Sequence, residues 1–405
     1  MLMNLLTVVV FLVMFSVLVA VHELGHYLFA RKFKMGVSEF SIGMGHQIKT
    51  WARRKYMSSD GEEKETLFNV RAIPIGGFVK IVGMEPNEDG TESNDPDGFY
   101  KKSPWQRIAV LLAGPVFSLA FGWLVLVAVF AATGIDIPNN IVEVIGKNLP
   151  ADTAGLEKGD RILSIDDHKI KDGKEAISWI RKSDGKSIIL KVDRKSQLLT
   201  VTLKPVLSAE ERPTYDEDGF PTGEFKRQPQ VGIGFGADHI YPGMSGAISE
   251  ASDFPIQQVS AMAKKFLHPQ VLLNSSTGAV GMVAITNQAV QSGLSTVFLL
   301  CGMISISLGI FNLLPIVPLD GGQIFLALVE VFRGGKKVSF RVQTRFVIVG
   351  LIFMAGIFAF RIYKDMFQYV LPGKENLLHH AKPFEVKGDN NSPDTNSPSN
   401  NAPVK

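Results

Sequence analysis

The feature that most constrains this chain is its beginning, where no Asp, Glu, Lys or Arg occurs between Met1 and His22. A helix needs about 20 largely apolar residues to cross a bilayer. Asn4 to Ala30 meets that requirement, and so do Ile108 to Thr133 and Leu294 to Leu319. A fourth run, Phe346 to Phe360, is shorter and lies between Arg345 and Arg361, so it spans only if those arginines snorkel outward. The first run has no basic residues ahead of it and is longer than a signal-peptide core. Cleavage near Ala20 would also cut it away from His22, so it reads as an uncleaved span. A hydrophobic content of 46% over 405 residues fits several spans combined with a soluble insert.

The fold class expected is therefore a polytopic α-helical membrane protein with about four transmembrane helices, a membrane-associated β-hairpin or sheet, and one β-rich module. Residues 1–30 form the first span, and 31–107 a cytoplasmic-side loop with membrane-associated strands. Within that loop "ETLFNVRAIPIGGFVKIVGMEP", Glu65 to Pro86, alternates β-formers around a Gly76-Gly77 turn. Residues 108–133 form the second span. Residues 138–206 carry short strands, a Pro-Ala turn, a small helix at Asp152 to Leu156, and a Gly159-Asp160 turn. That pattern, "AGLEKGDRILSID" above all, resembles a circularly permuted PDZ domain. Residues 207–293 read as a linker in which "QVGIGFG" can add a strand to the module and Asp253 to Leu267 can form an amphipathic helix on the membrane. The third transmembrane segment covers 294–330 and the fourth 343–363. Residues 385–405, rich in Asn, Ser and Pro, read as a disordered tail.

Basic residues favour the cytoplasmic side of short loops. "RKFK" closes the first span, "YKKSPWQR" precedes the second and "RGGKKVSFRVQTR" precedes the fourth, so the loops joining spans one to two and three to four belong inside. Both termini and the β-rich insert then lie outside. The net charge of +3, with no basic stripe interleaved with aromatics, gives no support for nucleic-acid binding. The lone Cys301 excludes an internal disulfide and thiolate metal clusters.

The chemistry begins at "HELGH", His22 to His26. On a helix His22 and His26 stand one turn apart on one face, so both imidazoles can reach one Zn²⁺ ion while Glu23 approaches a water. Catalytic zinc usually has three protein ligands, so one is missing. The best candidate is Asp320, at the end of the third span in "GIFNLLPIVPLDGGQIF". Spans one and three run in the same direction, which brings their inner ends to a common depth. Ionisable groups in a membrane are costly without a partner, so the two histidines and the glutamate read as functional rather than structural.

Four pieces together resemble one family, the site-2 proteases, and more narrowly its bacterial RseP-type members with a single PDZ domain. They are "HELGH", "PIGGFVKIVGMEP" from Pro74, the PDZ-like module, and "NLLPIVPLDGG" from Asn312. The resemblance implies one Zn²⁺ held by His22, His26 and Asp320, with Glu23 as general base. It further implies that Asn312 holds the substrate backbone or steadies the oxyanion, that Pro315 and Pro318 break the third helix, and that Gly77, Phe78, Val79 and Lys80 pair with an unwound substrate. Two departures stand out. Ser118 in "GPVFS" replaces an Asn common in relatives, and "GAVGM" at Gly278 to Met282 replaces "GPVGI".

The function this implies is zinc-dependent intramembrane cleavage of single-span membrane proteins, such as anti-sigma-factor-like regulators and signal-peptide remnants, after a first extracytoplasmic cut. The lipid bilayer and peptide C-termini at the PDZ-like module would be further partners, and a bacterial inner membrane the location. The alternative is a catalytically silent PDZ-bearing scaffold, for which an intact Glu23 would be superfluous. Metal transport would need polar residues through several spans, and the second and fourth offer almost none.

Overall fold

In a computed structural model, residues 2–85, 87, 91, 93–208, 212–215, 221–267 and 279–369 are described. The tail expected over 385–405 lies outside them. Four described helices are long and apolar enough to cross a membrane: Leu5–Lys32, Pro104–Thr133, Leu294–Asn312 and Arg341–Phe360.

Helix α1 (Leu2–Lys32) carries Arg31 and Lys32 in its last turn, where cations complement the helix dipole. It is followed by β1 (Val37–Met57) and β2 (Glu63–Ile81), which pair antiparallel. These strands are far longer than the sequence suggested, and Gly76 and Gly77 lie within β2 instead of linking two short strands. The register explains the difference. Residues 39–42 pair with Leu67–Val70 and also with Gly77–Lys80, so the chain bends back on itself between those arms. Gly76, at φ 86°, supplies a left-handed residue in that bend. The arm from Gly77 to Ile81 has a strand partner on one side only, and its other edge is open among the described residues.

Helix α2 (Pro104–Thr133) starts at a capping box. The Gln106 amide donates to Ser103 Oγ, and the Ser103 amide donates to Gln106 Oε1. Pro104 occupies the first turn, where its missing N–H costs nothing.

The β-rich module follows. Strands β3 (Ile135–Ile145), β4 (Arg161–Ile165), β5 (His168–Lys169), β6 (Ile188–Arg194) and β7 (Gln197–Leu203) enclose α3 (Pro150–Thr153) and α4 (Gly173–Lys182). Two small ladders come next: β8 (Val206–Leu207) with β11 (Pro229–Gln230), and β9 (Arg212–Tyr215) with β10 (Pro221–Lys226). Strand β12 (Ile233–Ile240) then pairs antiparallel with β3, giving the sheet order β12-β3-β4-β6-β7, with β5 on β4. The "QVGIGFG" stretch thus supplies an edge strand to the module. Its core is Val142, Ile162, Ile165, Ile188, Leu190 and Val192, all essentially buried. Arg194 clamps the β4 turn by donating to both oxygens of Asp160, whose side chain is fully buried.

Helix α5 (Gly243–Leu267) is longer than the amphipathic stretch read from the sequence. It packs on α2 through Ala251, Phe254 and Met262, and Trp123 Nε1 donates to Ser252 Oγ at 3.1 Å. Helices α6 (Ala279–Ser292) and α7 (Leu294–Asn312) precede the segment that holds Asp320. The apolar run read as one span to Leu319 is interrupted. Helix α7 ends at Asn312, seven residues form a connector, and α8 (Asp320–Phe332) starts at Asp320. Pro315 and Pro318 lack amides for a helical ladder and disfavour helix in the residues before them, which accounts for the break. Helix α9 (Phe340–Tyr369) closes the described fold.

Candidate metal centre

The H-E-x-x-H stretch lies two turns from the C-terminal end of α1, with His22 and His26 buried and Leu24 and Leu28 exposed on other faces. Asp320, 298 residues beyond His22, arrives at the first turn of α8, where the helix N-terminus favours a carboxylate. Its Oδ2 lies 3.1 Å from His22 Nε2 and 3.3 Å from His26 Nε2, and the two Nε2 atoms are 3.2 Å apart. The structure therefore brings His22, His26 and Asp320 together.

The outer nitrogens decide what the inner ones offer. His26 Nδ1 lies 2.9 Å from the carbonyl oxygen of Val110. A carbonyl only accepts, so Nδ1 carries the proton and Nε2 a lone pair. His22 Nδ1 lies 3.0 Å from Ser118 Oγ, which can accept its proton in the same way. With both rings neutral and Ser118 accepting, two imidazole lone pairs and a carboxylate oxygen face one another with no donor among them. A cation relieves that repulsion. Ligand atoms around a tetrahedral zinc with bonds of about 2.0–2.1 Å stand roughly 3.3 Å apart, which is the spacing seen here.

The floor of the site is Gly114. A Cβ built there would fall 2.3 Å from His26 Nε2 and 2.8 Å from His22 Nε2, so any side chain would invade the space the ligands enclose. Pro115 lies beside it within α2, and its missing amide leaves the preceding turn one hydrogen bond short, next to the Val110 carbonyl that receives His26. Ser118 is fully buried, and its own carbonyl accepts from Ser305 Oγ at 2.8 Å, tying α2 to α7 behind the ligands.

Glu23 is half-buried, within electrostatic reach of His26, His22 and Asp320, and the backbone amide of Val79 faces its carboxylate. The Val82 amide donates to the Gly36 carbonyl at 2.8 Å on the β1 side, which fixes the phase of the open strand arm. In an antiparallel pair alternate residues direct their backbone groups to the same edge, so Gly77, Val79 and Ile81 address the open edge while Phe78 and Lys80 address β1. The four residues read from the sequence as one substrate-pairing strip thus divide by parity. Asn312 stands apart from the cluster in its contacts, its Nδ2 donating to Leu308 O at 3.1 Å one turn back on its own helix. Pro315 is exposed in the connector.

Sequence reasoning singled out neither Val110 nor Gly114 as part of the site. It noted Ser118 only as a replacement for an Asn common in relatives, and the structure adds its contact with His22.

The family model for peptidase family M50 matches residues 10–357. A Clostridium perfringens protein named "Putative zinc metalloprotease" is 28% identical, covering 88% of this chain and 97% of its own length. A Helicobacter pylori protein of the same name is 30% identical over 88% of this chain and 98% of its own length. Among solved structures, the PDZ domain of an SdrC-like protein from Listeria monocytogenes covers 25% of this chain and 90% of its own, at 20% identity and a TM-score of 0.18. With the ligand geometry above, the family model and the two metalloprotease relatives lead to one conclusion: the chain belongs to peptidase family M50, the site-2 proteases, and is a zinc-dependent peptide hydrolase.

Proposed function

We propose that this peptidase cuts single-span membrane proteins within or at the edge of the bilayer. The observation that carries the reading is the convergence of His22, His26 and Asp320 between apolar helices, with Glu23 turned toward an open strand edge. His22, His26 and Asp320 would hold a zinc ion, which when bound would supply Lewis acidity toward the scissile carbonyl and water. Glu23 takes a proton from the attacking water and passes it to the leaving amine, the role its place beside His22 and His26 suits. Nδ1 of each histidine stays protonated on Ser118 or Val110 and keeps the ring oriented.

A helical substrate hides its carbonyls behind its own hydrogen bonds and side chains, so it must unwind before attack. The edge formed by Gly77, Val79 and Ile81 replaces those bonds by strand addition. Asn312 is assigned to the substrate backbone at the head of the connector, with Pro315 shaping the wall beside it.

The basic loops support a metal centre toward the cytoplasmic face of a bacterial inner membrane with the β-rich module on the far side, and single-span regulators and signal-peptide remnants are the proposed substrates. The module excludes bulky outer domains, or reads the C-terminus left by a first cut, so cleavage follows that trimming.

Purified enzyme given a single-span model substrate tests this. The expected result is chelator-sensitive cleavage toward the inner end of the span, faster when Gly or Pro is placed near the cut and slower in a Leu-rich span. Equal rates in all spans, with cuts at the outer end, would contradict it.

A further inference from the structure

A cavity of about 480 Å³ opens beside the metal centre, and none of the groups named so far accounts for its polar wall. It is bounded by Val79 and Ile81 of the open arm, Pro318 of the connector, Leu326 and Ala327 of α8, and Gln343 of α9. Most of this lining is apolar. Arg107 of α2 and Glu330 of α8 also line it, and both are buried, at 2% and 5% exposure.

These two charges form an ion pair, Arg107 Nη2 to Glu330 Oε1 at 2.6 Å. The contact with Glu330 is short but poorly aligned for a hydrogen bond, and among the described residues Arg107 Nε has no partner in hydrogen-bonding geometry. The guanidinium lies 5.1 Å over the Tyr100 ring and 5.9 Å over that of Phe99, which holds it in place. A buried ion pair is weak as a source of stability, and leaving its N–H groups unspent costs still more. Such a group is suited to receive an acceptor from outside the fold.

The acceptor can be identified from position. Arg107 precedes Gly114 by two turns of α2, about 10 Å at 1.5 Å per residue. An extended peptide advances about 3.3 Å per residue. A substrate paired on Val79 and Ile81 therefore brings its third residue past the cut, on the side toward the α2 N-terminus, level with Arg107. Resting on the proposed strand addition, we infer that this cavity is the subsite for the substrate segment on the inner side of the cut. Arg107 donates to a backbone carbonyl about three residues from the scissile bond, and the wall at Leu326 and Ala327 limits the size of the side chains there. Arg107 is thus a substrate-binding residue, distinct from the metal ligands and from Glu23.

Full-length Arg107→Lys tests the assignment, because lysine keeps the charge opposite Glu330 and loses the guanidinium fork. With a substrate extending well past the cut, KM should rise about tenfold, the value of one such hydrogen bond, with zinc content unchanged. With a substrate ending at the second residue past the cut, variant and wild type should be equal. An equal loss on both substrates would overturn the inference and make Arg107 structural. Should Arg107→Lys fail to fold, a photo-crosslinking residue at Leu326 in the Glu23→Gln protein decides. Adducts to substrate residues two to four past the cut on the inner side support the subsite, and adducts only to lipid or to outer-side residues overturn it. Wild type without chelator-sensitive cleavage would instead defeat the proposed activity, so the two failures are told apart.

Discussion

The β-rich module packs Ile162, Leu190 and Val192 into a core, whereas the helices around the metal centre meet through Gly114, Ser118, Gly122 and Gly302. A Cβ at Gly122 would stand 2.6 Å from the Gly302 carbonyl, so α2 and α7 touch backbone to backbone. The difference follows from the surroundings. In water, burying branched side chains is the main favourable term, worth about 25 cal/mol per Å² of apolar surface. Lipid is as apolar as leucine, so helices there gain from close approach and shared hydrogen bonds. The module is thus vulnerable to losing atoms, and the metal centre to gaining them.

The largest effect that would sharpen this contrast is expected from Gly114→Ala. One methyl group placed 2.3 Å from His26 Nε2 should abolish zinc binding and cleavage together while the helices remain folded. Metal analysis beside circular dichroism reads both, and normal zinc content in this variant would break the comparison.

Ser118→Ala comes next. It removes the partner of His22 Nδ1 without touching a ligand, so zinc affinity should weaken about 10- to 100-fold, with Ser118→Asn restoring much of it. Competition with a chelator of known affinity measures the shift, and an unchanged affinity would show that His22 needs no such support.

On the other side of the comparison, Ile162→Ala should destabilise the module by about 2–5 kcal/mol. Zinc content and cleavage of a pre-trimmed substrate should stay at the wild-type level. Denaturant unfolding followed at Trp179, which packs against that core, would report the loss. A parallel loss of zinc would mean that the two regions are not independent.

These effects also mark where the sequence could be read. His22, Glu23 and His26 declare themselves by spacing, and Asp320 by lying at the end of a span that runs the same way as the first. Gly114 does not, because within an apolar run glycine reads as one more small helix residue. Val110 does not either, since it acts through a carbonyl that every residue possesses. Hydropathy alone hides the end of α7, which only the resemblance, through Pro315 and Pro318, anticipates. Leu313, Leu314, Ile316, Val317 and Leu319 keep the connector as apolar as the helix before it, so hydropathy runs on while the two prolines end the hydrogen-bond ladder. The doubled pairing of residues 39–42 was illegible because β-propensity marks strands but not which arms lie side by side.

In the proposed reaction, metal binding by His22 and His26 of α1 with Asp320 of α8 is separable from proton transfer by Glu23, although Glu23 shares one turn of α1 with the two histidines. Glu23→Gln tests it most directly, with zinc content and cleavage of a single-span substrate measured on the same preparation. The account predicts full zinc occupancy and cleavage reduced by about 10²- to 10⁴-fold, the usual contribution of a positioned proton-transfer group. Cleavage near the wild-type rate with zinc bound would contradict it.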